Sequence, residues 1–254
     1  MWEYFITAPI NKVKCLTAIY DNLEEKIKEL NGVITLSVND HTAKLNIGVG
    51  NKNKSSIKGS IINQIAGVII AKYKPDYLKS NFNFKVNDDI NMQAFLKALV
   101  VFDSDIDKQI IVRELMTCNK GVVLDSFFNF RLNILKIKWK DLINLANDNI
   151  MYLMTSDTFI ELLKFLISNL DYRISEVNIF FSNSGYQLKD STGKDINDND
   201  NYLTDCKDCK EAFLITTLIS LSPQKIKLHC KTDFKSQTLN LLFSLFNDRI
   251  EICN

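Results

Sequence analysis

The spacing of apolar residues changes twice along the chain and divides it into three stretches. From Trp2 to Ala8 aromatic and apolar residues crowd together, and Pro9 closes the run, which predicts a strand. Next, residues 12–30 place Val13, Leu16, Ile19, Tyr20, Leu23, Ile27 and Leu30 at helical spacing, with Asn31-Gly32 as the stop. Val33 to Val38 is rich in β-formers, Asn39-Asp40 suits a turn, and Lys44 to Val49 alternates polar with apolar. Residues 1–50 therefore read as a β-α-β-β unit, followed by a polar linker of Asn, Lys and Ser.

Between about 56 and 172 the period is helical. Ile57, Ile61, Ile65, Val68, Ile69 and Tyr73 form one stripe, and Pro75 falls where that helix is expected to bend or end. Met92 to Val101 and Ile106 to Met116 are two further amphipathic pieces, and Asn119-Lys120-Gly121 is a stop signal. A long helical stretch follows from Leu124 to Met154. Thr158-x-x-Glu161 then gives a capping box ahead of Phe159, Leu162, Leu163, Leu166 and Leu170.

After residue 173 the pattern changes again. Val177 to Phe181 reads as a strand, Asn183-Ser184-Gly185 as a hairpin turn, and Tyr186 to Leu188 as the returning strand. A polar loop over 190–201 leads to a helix over about 205–221, a strand from Lys225 to Cys230, a helix from Lys235 to Phe246, and a strand from Arg249 to Cys253. That order builds parallel pairing with a crossover helix. The expected fold is α+β: a small N-terminal β-α-β-β unit (1–50), a helical middle (56–172), and a C-terminal α/β unit with a hairpin and parallel strands (173–254).

Composition changes this picture little. An apolar fraction of 46% and a charged fraction of 24% are globular averages, and a net charge of +1 gives no overall pull on nucleic acid or anionic lipid. Arginine occurs only at Arg113, Arg131, Arg173 and Arg249, which argues against a guanidinium-rich phosphate site. The start, Met-Trp-Glu-Tyr-Phe-Ile, does not read as a secretory signal, and the most apolar helical stretch contains Asn63 and Gln64 and is too short to span a bilayer. With 6 cysteines and one Cys-x-x-Cys, the chain suits a reducing compartment, so a cytoplasmic location without membrane attachment is expected.

The sharpest chemical feature is Cys206 and Cys209, placed in the first turn of a predicted helix where a thiol pKa falls. Because a helix feeding a parallel strand runs opposite to it, its start shares a sheet edge with the ends of the neighbouring strands. Cys230 and Cys253 end those strands. The four thiols, with His229 nearby, are a candidate zinc site or thiol-redox site, set against the commoner role of cysteine as a small buried apolar residue. No cofactor is expected from the sequence, with zinc at these thiols as the alternative.

Other constellations lead less far. The loop from Asp195 to Asn201 has calcium-loop residues at its first, third and fifth positions, but Asp200 stands at the glycine position and Cys206 where a bidentate Glu belongs. Lys136, Lys138 and Lys140 interleave with Ile137 and Trp139, a basic stripe that would serve a weak nucleic-acid contact but reads better as a solvated face. Neither His41 nor His229 belongs to a nucleophile motif, and Gly48-Val49-Gly50 lacks the remainder of a phosphate loop. No catalytic residue is identified, and a non-enzyme is favoured.

The stretch Asp125-Ser126-Phe127-Phe128-Asn129-Phe130-Arg131-Leu132 resembles the Phe-x-x-Phe-Arg-Leu signature of the YtxC-like family, sporulation proteins of spore-forming Firmicutes. Segments around Phe159–Phe165, Glu176–Phe181, Leu218–Ile226 and Phe246–Cys253 are similar to that family in the same order. The resemblance spans roughly 57–253 and implies a role in sporulation exercised through contacts with an unidentified protein partner. Within the motif, Phe127 and Phe130 are expected to pack their helix on the core, and Arg131 to pair with a carboxylate at the core's edge.

Overall fold

The computed structural model describes residues 1–82, 90–152, 156–182, 185–196, 210–229 and 237–253. These form two compact units, one of residues 1–77 and 104–141, the other of 78–103 and 142–254.

In the first unit, β1 (Trp2–Pro9), α1 (Val13–Glu29), β2 (Val33–Val38) and β3 (Thr42–Val49) follow in chain order. The sheet order is β2-β3-β1, extended by β4 (Gly121–Val123) running parallel to β1. Alternation places Tyr4, Ile6, Ala43, Leu45 and Ile47 on one face, where α1 buries Leu16, Ile19, Leu23 and Ile27. The hairpin forms because Asn39 Oδ1 accepts from the backbone N–H groups of His41 (3.1 Å) and Thr42 (2.7 Å).

α2 (Lys54–Val68) packs on α1 and is continued by a π turn over Ile69–Tyr73 into α3 (Lys74–Asn81). Pro75 therefore does not stop the helix. Its missing N–H falls just after a turn whose hydrogen bonds are already shifted to the wider spacing, so the chain remains helical to Asn81. β4, which begins at the glycine of the expected Asn119-Lys120-Gly121 stop, is held by that glycine: a Cβ there would overlap the Phe5 carbonyl oxygen and come within 2.6 Å of the Phe5 ring. The unit is completed by α5 (Ser104–Met116), α6 (Leu124–Arg131) and the first part of α7 (Asn133–Tyr152). The long helix expected from Leu124 is broken at Leu132.

The second unit contains α4 (Ile90–Val101), α8 (Ser156–Ser168), β5 (Ile174–Ser182), β6 (Gly185–Asp190), α9 (Lys210–Leu221), β7 (Pro223–His229), α10 (Gln237–Phe246) and β8 (Ile250–Cys253). Its sheet order is β6-β5-β7-β8, with β5–β6 an antiparallel hairpin and β5–β7 and β7–β8 parallel. Val177, Ile179, Leu188, Ile226 and Leu228 are buried on one face, and α9 is apolar enough to be buried through Leu214, Ile215, Leu218 and Ile219. Arg249 joins two elements by donating to the carbonyls of Pro223 (3.2 Å) and Ile167 (3.1 Å), and it stacks over Tyr172. The α+β class and the parallel C-terminal strands agree with the sequence reading.

The other face of this sheet is polar and laced by cross-strand pairs. Lys227 binds Glu176 at 2.8 Å, and Lys225 binds Glu251. These hydrogen bonds hold both carboxyls below the usual glutamate value of 4.5. Such a depressed carboxylate adds stability above its unfolded pKa and loses it as pH falls through the folded one. Lys227→Gln is accordingly expected to raise the Glu176 titration midpoint toward 4.5, followed by carboxyl carbon shifts in an NMR pH series; an unmoved midpoint would show that the pair does not form in solution.

Candidate interaction face on the motif helix

β4 delivers the chain into α6 directly, without a loop, so the Phe-rich motif starts at the sheet's edge. Phe127 and Phe128 turn inward. Phe128 meets the rings of Tyr73 (5.0 Å between centroids), Tyr77 (6.2 Å) and Trp139 (6.2 Å), and Tyr77 donates to the Lys136 carbonyl. Lys136 closes the end of α6 by donating to the Asn129 carbonyl at 2.6 Å, with its ammonium near the Phe128 ring.

Two charged clusters anchor this aromatic layer. Asp107, in the first turn of α5, is fully buried with Lys74; its carboxylate accepts from Lys74 Nζ (2.7 Å), Lys138 Nζ (2.9 Å) and Trp139 Nε1 (2.8 Å). Lys12 Nζ lies 3.2 Å from Asp125 Oδ1 and 3.5 Å from the centre of the Tyr73 ring. Burial, aided by the Asp125 charge, pushes the Tyr73 hydroxyl well above the ordinary tyrosine range. The Cys15 thiol nearby is also raised by burial, which opposes thiolate formation.

Phe130 departs from expectation. It is 76% exposed, while Phe127 is 4% exposed. The inward face of α6 centres on Leu124, Phe127 and Phe128, and Phe130 lies roughly 200° around the helix from Phe128. Arg131 is likewise exposed, and no carboxylate among the described residues pairs with it. On α7, beyond the break at Leu132, Ile134 (67%) and Ile137 (63%) are exposed as well and lie one turn apart, so Phe130 near the end of α6 and these two isoleucines are uncovered apolar side chains close together along the chain. Arg131, next to Phe130 in the chain, and Lys140, three residues after Ile137, are exposed too. Of the basic stripe, Lys136 and Lys138 are committed to the fold, leaving Lys140 facing solvent.

A family model, the YtxC-like family, matches residues 60–251, well over half of the chain. The chain belongs to the YtxC-like family. Comparison with curated proteins and with solved structures gives no match. The YtxC-like match begins in α2 and runs into β8, so it takes in the motif helix, the exposed apolar residues and all of the second sheet except the last two residues of β8.

At the C-terminal rim of that sheet, only part of the cysteine set of this YtxC-like chain can be placed. Cys206, Cys209 and Cys230 lie outside the described residues, as does 197–201 of the calcium-like loop; Asp195 makes an ion pair with Lys189. Cys253 is half-buried at the end of β8, directly opposite His229 in the parallel register. Asn178 turns its amide nitrogen to Glu176 Oε1 (3.1 Å) and the Asp190 carbonyl (3.4 Å), so its Oδ1 faces His229 Nε2 at 3.0 Å. In the neutral ring Nε2 therefore carries the proton and Nδ1 holds the lone pair. Phe180 stacks on the imidazole at 4.2 Å and fixes its plane. Among the described residues no three His, Cys, Asp or Glu side chains converge as a metal cluster, and no helix is long and apolar enough to cross a membrane. His41 is exposed at the β2–β3 turn.

Proposed function

We propose that this YtxC-like protein acts in sporulation, in the cytoplasm, by binding a protein partner through the exposed side chains of Phe130, Ile134 and Ile137. The observation that carries the reading is that a family-motif aromatic is 76% exposed within a few residues of two exposed isoleucines. The occupant is an amphipathic helix with acidic flanks, since exposed Arg131 and Lys140 accompany the apolar residues along the chain and a second copy would bring like charges together. Covering three such side chains yields roughly 1.5–3 kcal/mol each before the costs of association, so affinity on the order of micromolar is expected.

A photo-crosslinking residue placed at Ile134 in sporulating cells tests this. Sequencing the attached peptide is expected to return an acidic amphipathic helix, and Phe130→Ala is expected to abolish the crosslink. Attachment to lipid or RNA, or crosslinking indifferent to Phe130→Ala, would refute it.

A second reading is a structural zinc or thiol-redox site built from Cys206, Cys209, Cys230 and Cys253. What supports it is the His229–Cys253 juxtaposition, with the imidazole oriented through Asn178 in the manner of a metal ligand's outer partner. The double substitution Cys206→Ser with Cys209→Ser is expected to lower both zinc content and melting temperature; unchanged values would remove the idea.

A further inference from the structure

The four outer sheet edges pair with no further strand among the described residues, and they are not protected equally. β4 exposes only three residues, and β8 only four, one of them the ion-paired Glu251. β6 carries Lys189 and Asp190, and Lys189 is further bridged to Asp195. β2 is different. Its six residues, Val33-Ile34-Thr35-Leu36-Ser37-Val38, contain no charge, proline or glycine, and its outer edge pairs with no strand among the described residues. Val33 is 58% and Val38 54% exposed. An unguarded apolar edge of this length templates strand addition, which is why exposed edges ordinarily carry lysine, proline or a bulge.

We infer that β2 pairs with β2 of a second copy of this chain, joining two four-stranded sheets into one of eight strands. The strand is self-complementary in one antiparallel register. With a two-fold axis through Leu36, perpendicular to the sheet, Leu36 meets Leu36, Ile34 meets Val38, and Thr35 meets Ser37. Ile34 and Leu36 are half-buried on the face that α1 covers, whereas Val38, paired with Ala43 on its inner side, is exposed, so the pairing adds an apolar neighbour on its open side. On the opposite face Thr35 and Ser37 are both exposed, and Thr–Ser is a favourable cross-strand pair. A register shifted by one residue would set apolar residues opposite polar ones. The strand carries no charge, so the two-fold brings no like charges face to face.

Sedimentation of the full chain tests the pairing, and the two exposed positions allow a charge swap that leaves the fold alone. The native protein is expected to be a dimer. Thr35→Lys with Ser37→Lys places two lysine pairs directly opposite each other and is expected to raise the dissociation constant about tenfold or more. Thr35→Glu with Ser37→Glu behaves the same way alone. Mixing the two variants restores a heterodimer. Circular dichroism confirms that each variant is folded. A native protein that is monomeric at every concentration, charged variants that still dimerise alone, or a mixture that fails to associate would each overturn the proposal.

Discussion

Asp107→Ala is expected to destabilise the first unit by about 3–5 kcal/mol, the usual cost of removing one partner of a buried ion pair. The substitution strips a fully buried ammonium, Lys74, of its carboxylate and removes the acceptor of Trp139 Nε1. Lys138, which is partly exposed, can swing its charge into water, whereas Lys74 cannot. The loss should therefore follow Lys74. A double variant, Lys74→Met with Asp107→Asn, removes both buried charges and keeps an oxygen for Trp139, so it is expected to lose much less than Asp107→Ala alone. Trp2 and Trp139 are the only tryptophans and both belong to the first unit, so urea titration followed by indole fluorescence reads this unit. A midpoint for Asp107→Ala indistinguishable from that of the native protein would show that the hub contributes no net stability.

The two outer phenylalanines of the motif should separate cleanly. Phe127→Ala leaves a cavity beneath a 4% exposed ring and is expected to cost about 3–5 kcal/mol. Phe130→Ala, three residues later, touches little within the fold and is expected to change stability by about 0.5 kcal/mol or less. Its effect should appear in partner binding instead. Urea midpoints of the two variants decide the matter, and comparable losses would mean that Phe130 is covered in solution.

How far the sequence carries the fold depends on whether a feature is local. The alternation of β1 and β3, the apolar face of α1 and the Asn39 turn are set by neighbours a few residues apart, and each is visible in the spacing. β4 escapes because Gly121-Val122-Val123 offers too few residues for a period, and its place depends on a close approach to Phe5, more than a hundred positions away. The π turn escapes for the same reason: nothing in Ile69–Tyr73 differs from an ordinary helical stripe.

The candidate sites divide along the same line. Asp107 looks like an acidic residue suited to a helix N-terminus, and its burial follows from partners 31–33 residues distant in sequence. Lys138 reads as part of a solvated stripe until that carboxylate is placed beneath it. Motif composition identified the Phe127–Arg131 segment but not which ring faces out, because that depends on where the sheet lies against a two-turn helix. For the thiols, Cys253 stands opposite His229 in the strand register, and Cys206, Cys209 and Cys230 lie outside the described residues.

The interleaving of the two units has a consequence for synthesis. Chain emerging from the ribosome supplies Lys74 well before Asp107, and residues 78–103 of the second unit appear in between. The first unit cannot close its core until residue 141 has left the exit tunnel, by which time a helix of the other is already waiting. Cutting the chain at any single peptide bond to express one unit alone would strand part of it, so a fragment approach should keep 1–141 together and accept the inserted segment as a passenger.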